Sequence, residues 1–156
     1  MIELFKRQIE HEIHNSIIYQ EIAMWLDVKG FSNLSAYYKK WSDEEKSHGM
    51  WVQEFLEQLN VYINIGSISI EKLNLENDVL KFAEVTLQTE IETTEMLEEC
   101  LRESYNTSSL STVFLLNTML KEQIEETAKA NKIKDTVSNI GNNLGLLQLF
   151  DNAFEG

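Results

Sequence analysis

The sequence predicts an all-α protein: four long helices in a bundle, one long crossover, and a short fifth helix at the end. Three observations lead there. Proline is absent and the 156 residues include only six glycines, so few points interrupt a helix. Four stretches repeat apolar residues at steps of three and four, the period of a helix with one buried face. A middle segment lacks that period yet is long enough to run the length of the others.

The first stretch, roughly residues 2–28, carries the seam Phe5, Ile9, Glu12, Ser16, Tyr19 and Ala23, flanked by Ile13 and Ile17. Gly30 breaks it. Ser32 or Asn33 caps the second stretch, roughly 33–60, whose seam is Trp41, Glu45, His48, Val52, Phe55 and Leu59. The third, from about Asn77 to Ser104, has Leu80, Ala83, Leu87, Glu90, Thr94, Leu97 and Leu101. The fourth, from about Ser109 to Ser138, has Leu116, Met119, Gln123, Glu126, Ala130, Ile133 and Val137. After the break at Gly141-Asn142-Asn143, the apolar run from Leu144 to Phe154 predicts the short fifth helix.

Helices one and two, and three and four, are joined by a few residues, so each pair is expected to be an antiparallel hairpin. Residues 61–76 are different. Sixteen residues reach ~50 Å at ~3.3 Å each, whereas a helix of about 27 residues is only ~40 Å long at 1.5 Å per residue. The segment can therefore start helix three at the end of the bundle where helix two began. Alternation in Tyr62-Ile63-Asn64-Ile65 also fits a strand, but an isolated strand has nothing to pair with.

Composition narrows the function. Twenty-six acidic against thirteen basic residues give a formal charge of −13, which repels nucleic-acid phosphates and anionic membranes and concentrates cations. No apolar run is long enough to span a bilayer, and the N-terminus begins an amphipathic pattern instead of a signal peptide, so a cytoplasmic protein is expected. The single cysteine, Cys100, calls for no oxidising compartment and reads as a small buried hydrophobe. There is no Gly-rich phosphate loop, Ser/His/Asp arrangement or Cys cluster.

Each of the four seams is interrupted near its middle by residues that bind hard cations: Glu12, then Glu45 with His48, then Glu90, then Gln123 with Glu126. Burying one unpaired carboxylate costs several kcal/mol, and four would unfold a domain stabilised by only ~5–15 kcal/mol unless something compensates. A pair of divalent cations would. Residues three apart share a helix face, so Glu45 and His48 can reach one ion, and Glu45 is placed to bridge two. Oxygen ligands with one imidazole suit iron or manganese better than structural zinc. A lone Glu-x-x-His in so acidic a chain would read as a solvated face; the interruption of all four seams at one depth gives it meaning. His11 and His14 fall off the seam and read as surface or subunit-contact residues. Trp25, Trp41, Trp51, Tyr37 and Tyr38 read as packing or interface residues.

Glu12 with Tyr19 seven residues on, Glu44-Glu45-Lys46-Ser47-His48, Glu90, and Glu122-Gln123-Ile124-Glu125-Glu126 resemble the ligand pattern of prokaryotic non-haem ferritins over nearly the whole chain. The resemblance implies a single ferritin-like domain over residues 1–156, with one iron held by Glu12, Glu45 and His48 and a second by Glu45, Glu90 and Glu126. Gln123 would lie close by, and Tyr19 beside the irons as electron donor or hydrogen-bond partner. A third iron position would involve Glu44, Glu122, Glu125 and Glu126. The implied activity is ferroxidation: Fe(II) oxidised by O2 or H2O2 and stored as ferric mineral in a symmetric cage of roughly 24 subunits. Bacterioferritins and rubrerythrin-like proteins carry a second Glu-x-x-His on the fourth helix, where this chain has Gln123 and Glu126. Lys46 replaces the haem-ligating methionine of bacterioferritin, so haem is not expected. The hydroxyl-rich start of the fourth helix, Thr107 to Thr112, stands where many ferritins place carboxylates around a three-fold pore. A dinuclear oxidase or peroxidase that stores no mineral is the alternative enzyme, and a metal-free bundle acting through its surface is the alternative binding protein.

Overall fold

The computed structural model describes the backbone of residues 1–156 and every side chain except that of Asn77. Its five helices are α1 (Ile2–Val28), α2 (Ser32–Gln58), α3 (Lys81–Asn106), α4 (Leu110–Ile140) and α5 (Leu144–Ala153). There is no strand among the described residues, so the Tyr62–Ile65 alternation does not form one. No helix is long and apolar enough to cross a membrane.

Three helices end by the same device. Gly30, Asn60 and Ser108 take positive φ values of 90°, 56° and 55°. The next amide then turns back to the last helical turn: Phe31 N donates to Leu26 O, Val61 N to Leu56 O and Ser109 N to Ser104 O. This left-handed stop satisfies carbonyls that a helix end otherwise leaves bare. It also sets the direction of each hairpin.

The core is in two apolar halves. One gathers Ile18, Ile22 and Leu26 of α1, Leu34, Tyr38 and Trp41 of α2, Phe82 and Ala83 of α3, and Ala130, Ile133 and Val137 of α4. The other gathers Phe5 and Ile9, Val52 and Leu56, Leu97 and Cys100, and Leu116 and Met119. Chain order within the halves fixes the directions: α1 runs against α2, α3 against α4, and α2 and α3 run parallel. The crossover makes that possible, because Val61 and Ile63 lie on the second half while Ile70, Leu73 and Leu75 lie on the first. Midway, Glu10 Oε1 accepts from Gly66 N at 2.8 Å and ties the crossover to α1.

Helix three differs from the expectation at both its start and its face. Asn74 is left-handed at φ 56° and Leu75–Asn77 form a single 3-10 turn, so α3 begins at Lys81. Its buried side keeps the expected Ala83, Glu90 and Leu97, but Thr86, Thr93 and Cys100 stand in place of the neighbouring Leu87, Thr94 and Leu101, and Thr89 and Ser104 are buried as well. Thr86, Thr93 and Ser104 return their hydroxyl protons to the carbonyls of Phe82, Thr89 and Cys100, which lets them sit in the core. Helix five closes the first half. Its buried Asp151 accepts from Leu34 N at 2.8 Å and Asn33 N at 3.5 Å, while Asn33 Nδ2 donates to Asp151 O at 2.9 Å. Helix two has no side-chain cap of its own, so α5 supplies it.

Candidate metal centre

A belt of polar side chains separates the two apolar halves. Glu12 comes from α1, Glu45 and His48 from α2, Glu90 from α3, and Gln123 and Glu126 from α4, and all six are buried. The helix period places them there, since each sits at the inward position midway between apolar seam residues. Glu12, Glu45 and His48 each offer a ligand atom within 4.8 Å of the others, and so do Glu45, Glu90 and Glu126. Glu45 belongs to both triads.

Hydrogen bonds occupy one oxygen of Glu12 and one of Glu45 and leave the other free, whereas both oxygens of Glu90 are occupied. Gln8 Nε2 donates to Glu12 Oε1 at 2.5 Å, and Asn15 Nδ2 to Glu45 Oε2 at 3.4 Å. Glu90 accepts from Tyr19 Oη at one oxygen and from Gln123 Nε2 at the other, the latter at 2.6 Å. Glu12 Oε2, Glu45 Oε1 and Glu126 Oε2 are buried without a partner. Unpartnered buried carboxylate oxygens are expensive, and three of them facing one belt are the donor set that a hard cation satisfies.

The electrostatics agree. Burial, then the charges of Glu12 and Glu90, push the Glu45 carboxyl well above the ordinary 4.5. Burial raises Glu126 to about 9, with Glu90 and Glu12 adding to it. Burial also raises Glu90 to about 7, against the opposing hydrogen bonds from Tyr19 and Gln123. Glu12 is raised by burial as well, although the nearby His48 and the hydrogen bond from Gln8 oppose the shift. Burial first and Glu90 second drive the Tyr19 phenol well above 10. Without cations, then, the belt holds protons.

The residues expected at a third position lie at the mouth of this belt. Glu44, Glu122 and Glu125 line an open cavity of about 520 Å³ between α2 and α4, together with His48 and Glu126. Glu122 Oε2 is 3.3 Å from His48 Nε2, and Glu44 pairs with Lys40 at 3.2 Å. Among the described residues, Glu44, Glu122 and Glu125 do not gather as a third ligand group. Gln123 directs its amide nitrogen to Glu90 Oε2 and Glu90 O.

Sequence reasoning missed three buried supports. Gln8 and Asn15 stand four residues before and three after Glu12 on the same face of α1, and that spacing was the available signal. Thr93 was missed because its neighbour Thr94 stood in the expected seam. His11, expected as a surface or subunit-contact residue, is part-buried, with Nε2 2.8 Å from Thr93 Oγ1. Trp41 and Tyr38 pack in the core, with the Trp41 ring 5.0 Å from that of Tyr19, and Cys100 is fully buried as expected.

A helical bundle with a carboxylate and histidine centre between its helices defines a class, and comparison with known proteins places the chain within it. The ferritin-like domain family matches residues 2–140, and the chain belongs to that family. Relatives include a bacterial non-heme ferritin of Staphylococcus aureus (strain MRSA252), 21% identical across 97% of this chain and 90% of the relative. That of Staphylococcus haemolyticus (strain JCSC1435) is 22% identical with the same coverage. Among solved structures, a novel open pore ferritin from the hyperthermophilic archaeon Archaeoglobus fulgidus superposes with a TM-score of 0.88, at 23% identity over 97% of this chain and 92% of that one. A variant of PmFTN soaked in iron gives 0.91 at 22% identity, over 97% and 98% of the two chains. At these identities the superpositions establish a shared fold. Membership of this family supports iron storage and Fe(II) oxidation as the general activity.

Proposed function

We propose that the chain is an iron-storage subunit that oxidises its substrate Fe(II) at a dinuclear centre inside the bundle. One ion is held by Glu12, Glu45 and His48 and the other by Glu45, Glu90 and Glu126, with Glu45 between them and Gln123 steadying Glu90. The observation that carries this reading is the sharing of Glu45 by two buried triads, in which Glu12, Glu45 and Glu126 each keep an oxygen without a partner. Such a set suits a pair of divalent cations, iron or manganese above all.

Each Fe(II) gives up one electron. An O2 molecule takes both electrons with two protons and leaves as H2O2, or an H2O2 molecule takes them with two protons and leaves as two waters. Holding both ions against one oxidant favours the two-electron step over release of radicals. Tyr19 keeps Glu90 in place through its hydroxyl and stands ready as an electron donor. Glu44, Glu122 and Glu125 line the open cavity between α2 and α4, and their carboxylates draw ions through it towards Glu126 and the centre. The ferric product hydrolyses into an oxo-hydroxide mineral, retained by a closed symmetric cage of roughly 24 copies in the cytoplasm. No haem takes part.

The test is to add a large excess of Fe(II) in air to the purified protein, then follow protein and ferric absorbance together through a sizing column. Soluble iron co-eluting with a particle of many subunits, far beyond two ions per chain, is the expected result. Fast oxidation with loss of the iron would instead favour a dinuclear oxidase without storage. Oxidation no faster than in buffer alone would sink the dinuclear reading.

A further inference from the structure

Glu45 is asked to face two cations at once, and the side chains on its far side determine how it is turned. Asn15 is fully buried on α1. Its Nδ2 lies 3.0 Å from Thr93 Oγ1 and 3.4 Å from Glu45 Oε2, while its Oδ1 faces His14 Nδ1 at 3.4 Å. Those partners fix the amide's orientation, because only nitrogen can donate to a carboxylate. The Thr93 hydroxyl has one proton, and it goes to Thr89 O at 3.0 Å. Thr93 Oγ1 must then accept from both Asn15 and His11, so His11 carries its proton on Nε2.

The result is a ladder from the part-buried His11 through Thr93 and Asn15 to one oxygen of Glu45. It leaves the other oxygen, Oε1, bare. We infer that Asn15, held by Thr93 and His11, is a positioning residue that turns the shared carboxylate of Glu45 so that both cations can use it. This rests on the dinuclear reading above. It assigns a role to His11 and Thr93, which that reading leaves unused, and to an asparagine that touches no cation.

Hydrogen-bond partners behind a metal ligand typically change metal affinity by about 10–100-fold when removed. Asn15→Leu keeps the branched shape and removes the amide. In anaerobic titrations of the full chain with Fe(II), it is expected to weaken both equivalents by about that factor, because both use Glu45. The Fe(II) concentration giving half-maximal oxidation should rise with it, whereas the rate at saturating Fe(II) changes by a smaller factor. Thr93→Val, which leaves the amide but removes its anchor, should show a smaller shift of the same sign. The melting temperature of each metal-free variant serves as the check on folding. Unchanged Fe(II) affinity in a folded Asn15→Leu protein overturns the inference; if that variant does not fold, unchanged affinity in Thr93→Val does so. Glu45→Ala, run alongside, separates the two ideas. If it still binds two ions as tightly as the parent, the dinuclear reading itself fails. If it loses them while Asn15→Leu keeps them, only the positioning role fails.

Discussion

Raising the pH should weaken the metal-free protein, and the buried belt sets how much. Glu126 is raised to about 9 and Glu90 to about 7, from an ordinary 4.5. Between 4.5 and 7 the folded chain therefore holds two protons that the unfolded chain has released, so stability falls as pH rises. Each such proton is worth about 1.4 kcal/mol per pH unit, or about 3 kcal/mol per group across that interval. Glu90 drops out near its own value, and Glu126 continues to contribute up to about 9. The combined loss of about 6 kcal/mol is large against the ~5–15 kcal/mol that holds a domain together. For a chain of this size it corresponds to a fall in melting temperature of roughly 10–20 °C. Glu12 and Glu45 are raised too and act with the same sign. The assay is calorimetric melting of chelator-treated protein across this range, beside a sample loaded with redox-inert Zn(II). Zn(II) should displace about one proton from Glu126 and about half a proton from Glu90 at neutral pH, and flatten the profile. Surface repulsion in a chain of charge −13 acts in the same direction, so Glu126→Gln is the control and should reduce the slope by about one proton's worth. A melting temperature that is flat or rising through this range would refute the reasoning.

Other perturbations should give equally definite results. Zn(II) at about 100 times its dissociation constant stabilises by about 2.7 kcal/mol per site; Glu45→Ala should lose most of this at both sites, seen as a lost rise in melting temperature. Asp151→Ala strips the N-terminal cap from α2 and should cost about 1–2 kcal/mol, readable in denaturant midpoints. Burial pushes the Cys100 thiol from 9.0 up to about 11, so thiolate is about 100-fold scarcer at neutral pH. Alkylation followed by mass spectrometry should therefore label it only after unfolding, and rapid labelling of the native chain would contradict its burial.

The sequence revealed the elements of the site better than their support. Glu12, Glu45, His48, Glu90, Gln123 and Glu126 stood out because a charged or amide group in an apolar seam has no cheap explanation. Their shared depth could be counted along four helices of known rise. Thr86, Thr89 and Thr93 gave no such signal. A threonine that returns its proton to its own helix packs like a valine, so Ala83, Glu90 and Leu97 were placed correctly on the buried face of α3 while Leu87 and Thr94 were chosen over Thr86 and Thr93. Gln8 and Asn15 were legible only as neighbours of Glu12, since an amide on a helix face is ordinarily solvated. The crossover's length predicted its path, but the turn at Asn74 that delays α3 depends on one residue's backbone angle. Asp151 was beyond reach, because its partners Asn33 and Leu34 are more than a hundred residues away and no local pattern joins them.

That last contact has a consequence for the order in which the chain is made. The amide of Leu34 leaves the ribosome 117 residues before the carboxylate that seals it. At about 5–20 residues per second, the start of α2 waits roughly 6–23 seconds for its cap. Glu45 and His48 ride on that helix. All four ligand-bearing helices are therefore synthesised before the helix that brings two of those ligands is closed at its first turn. A chain that stops short of residue 151 carries every residue of the metal centre on a helix whose end is still open.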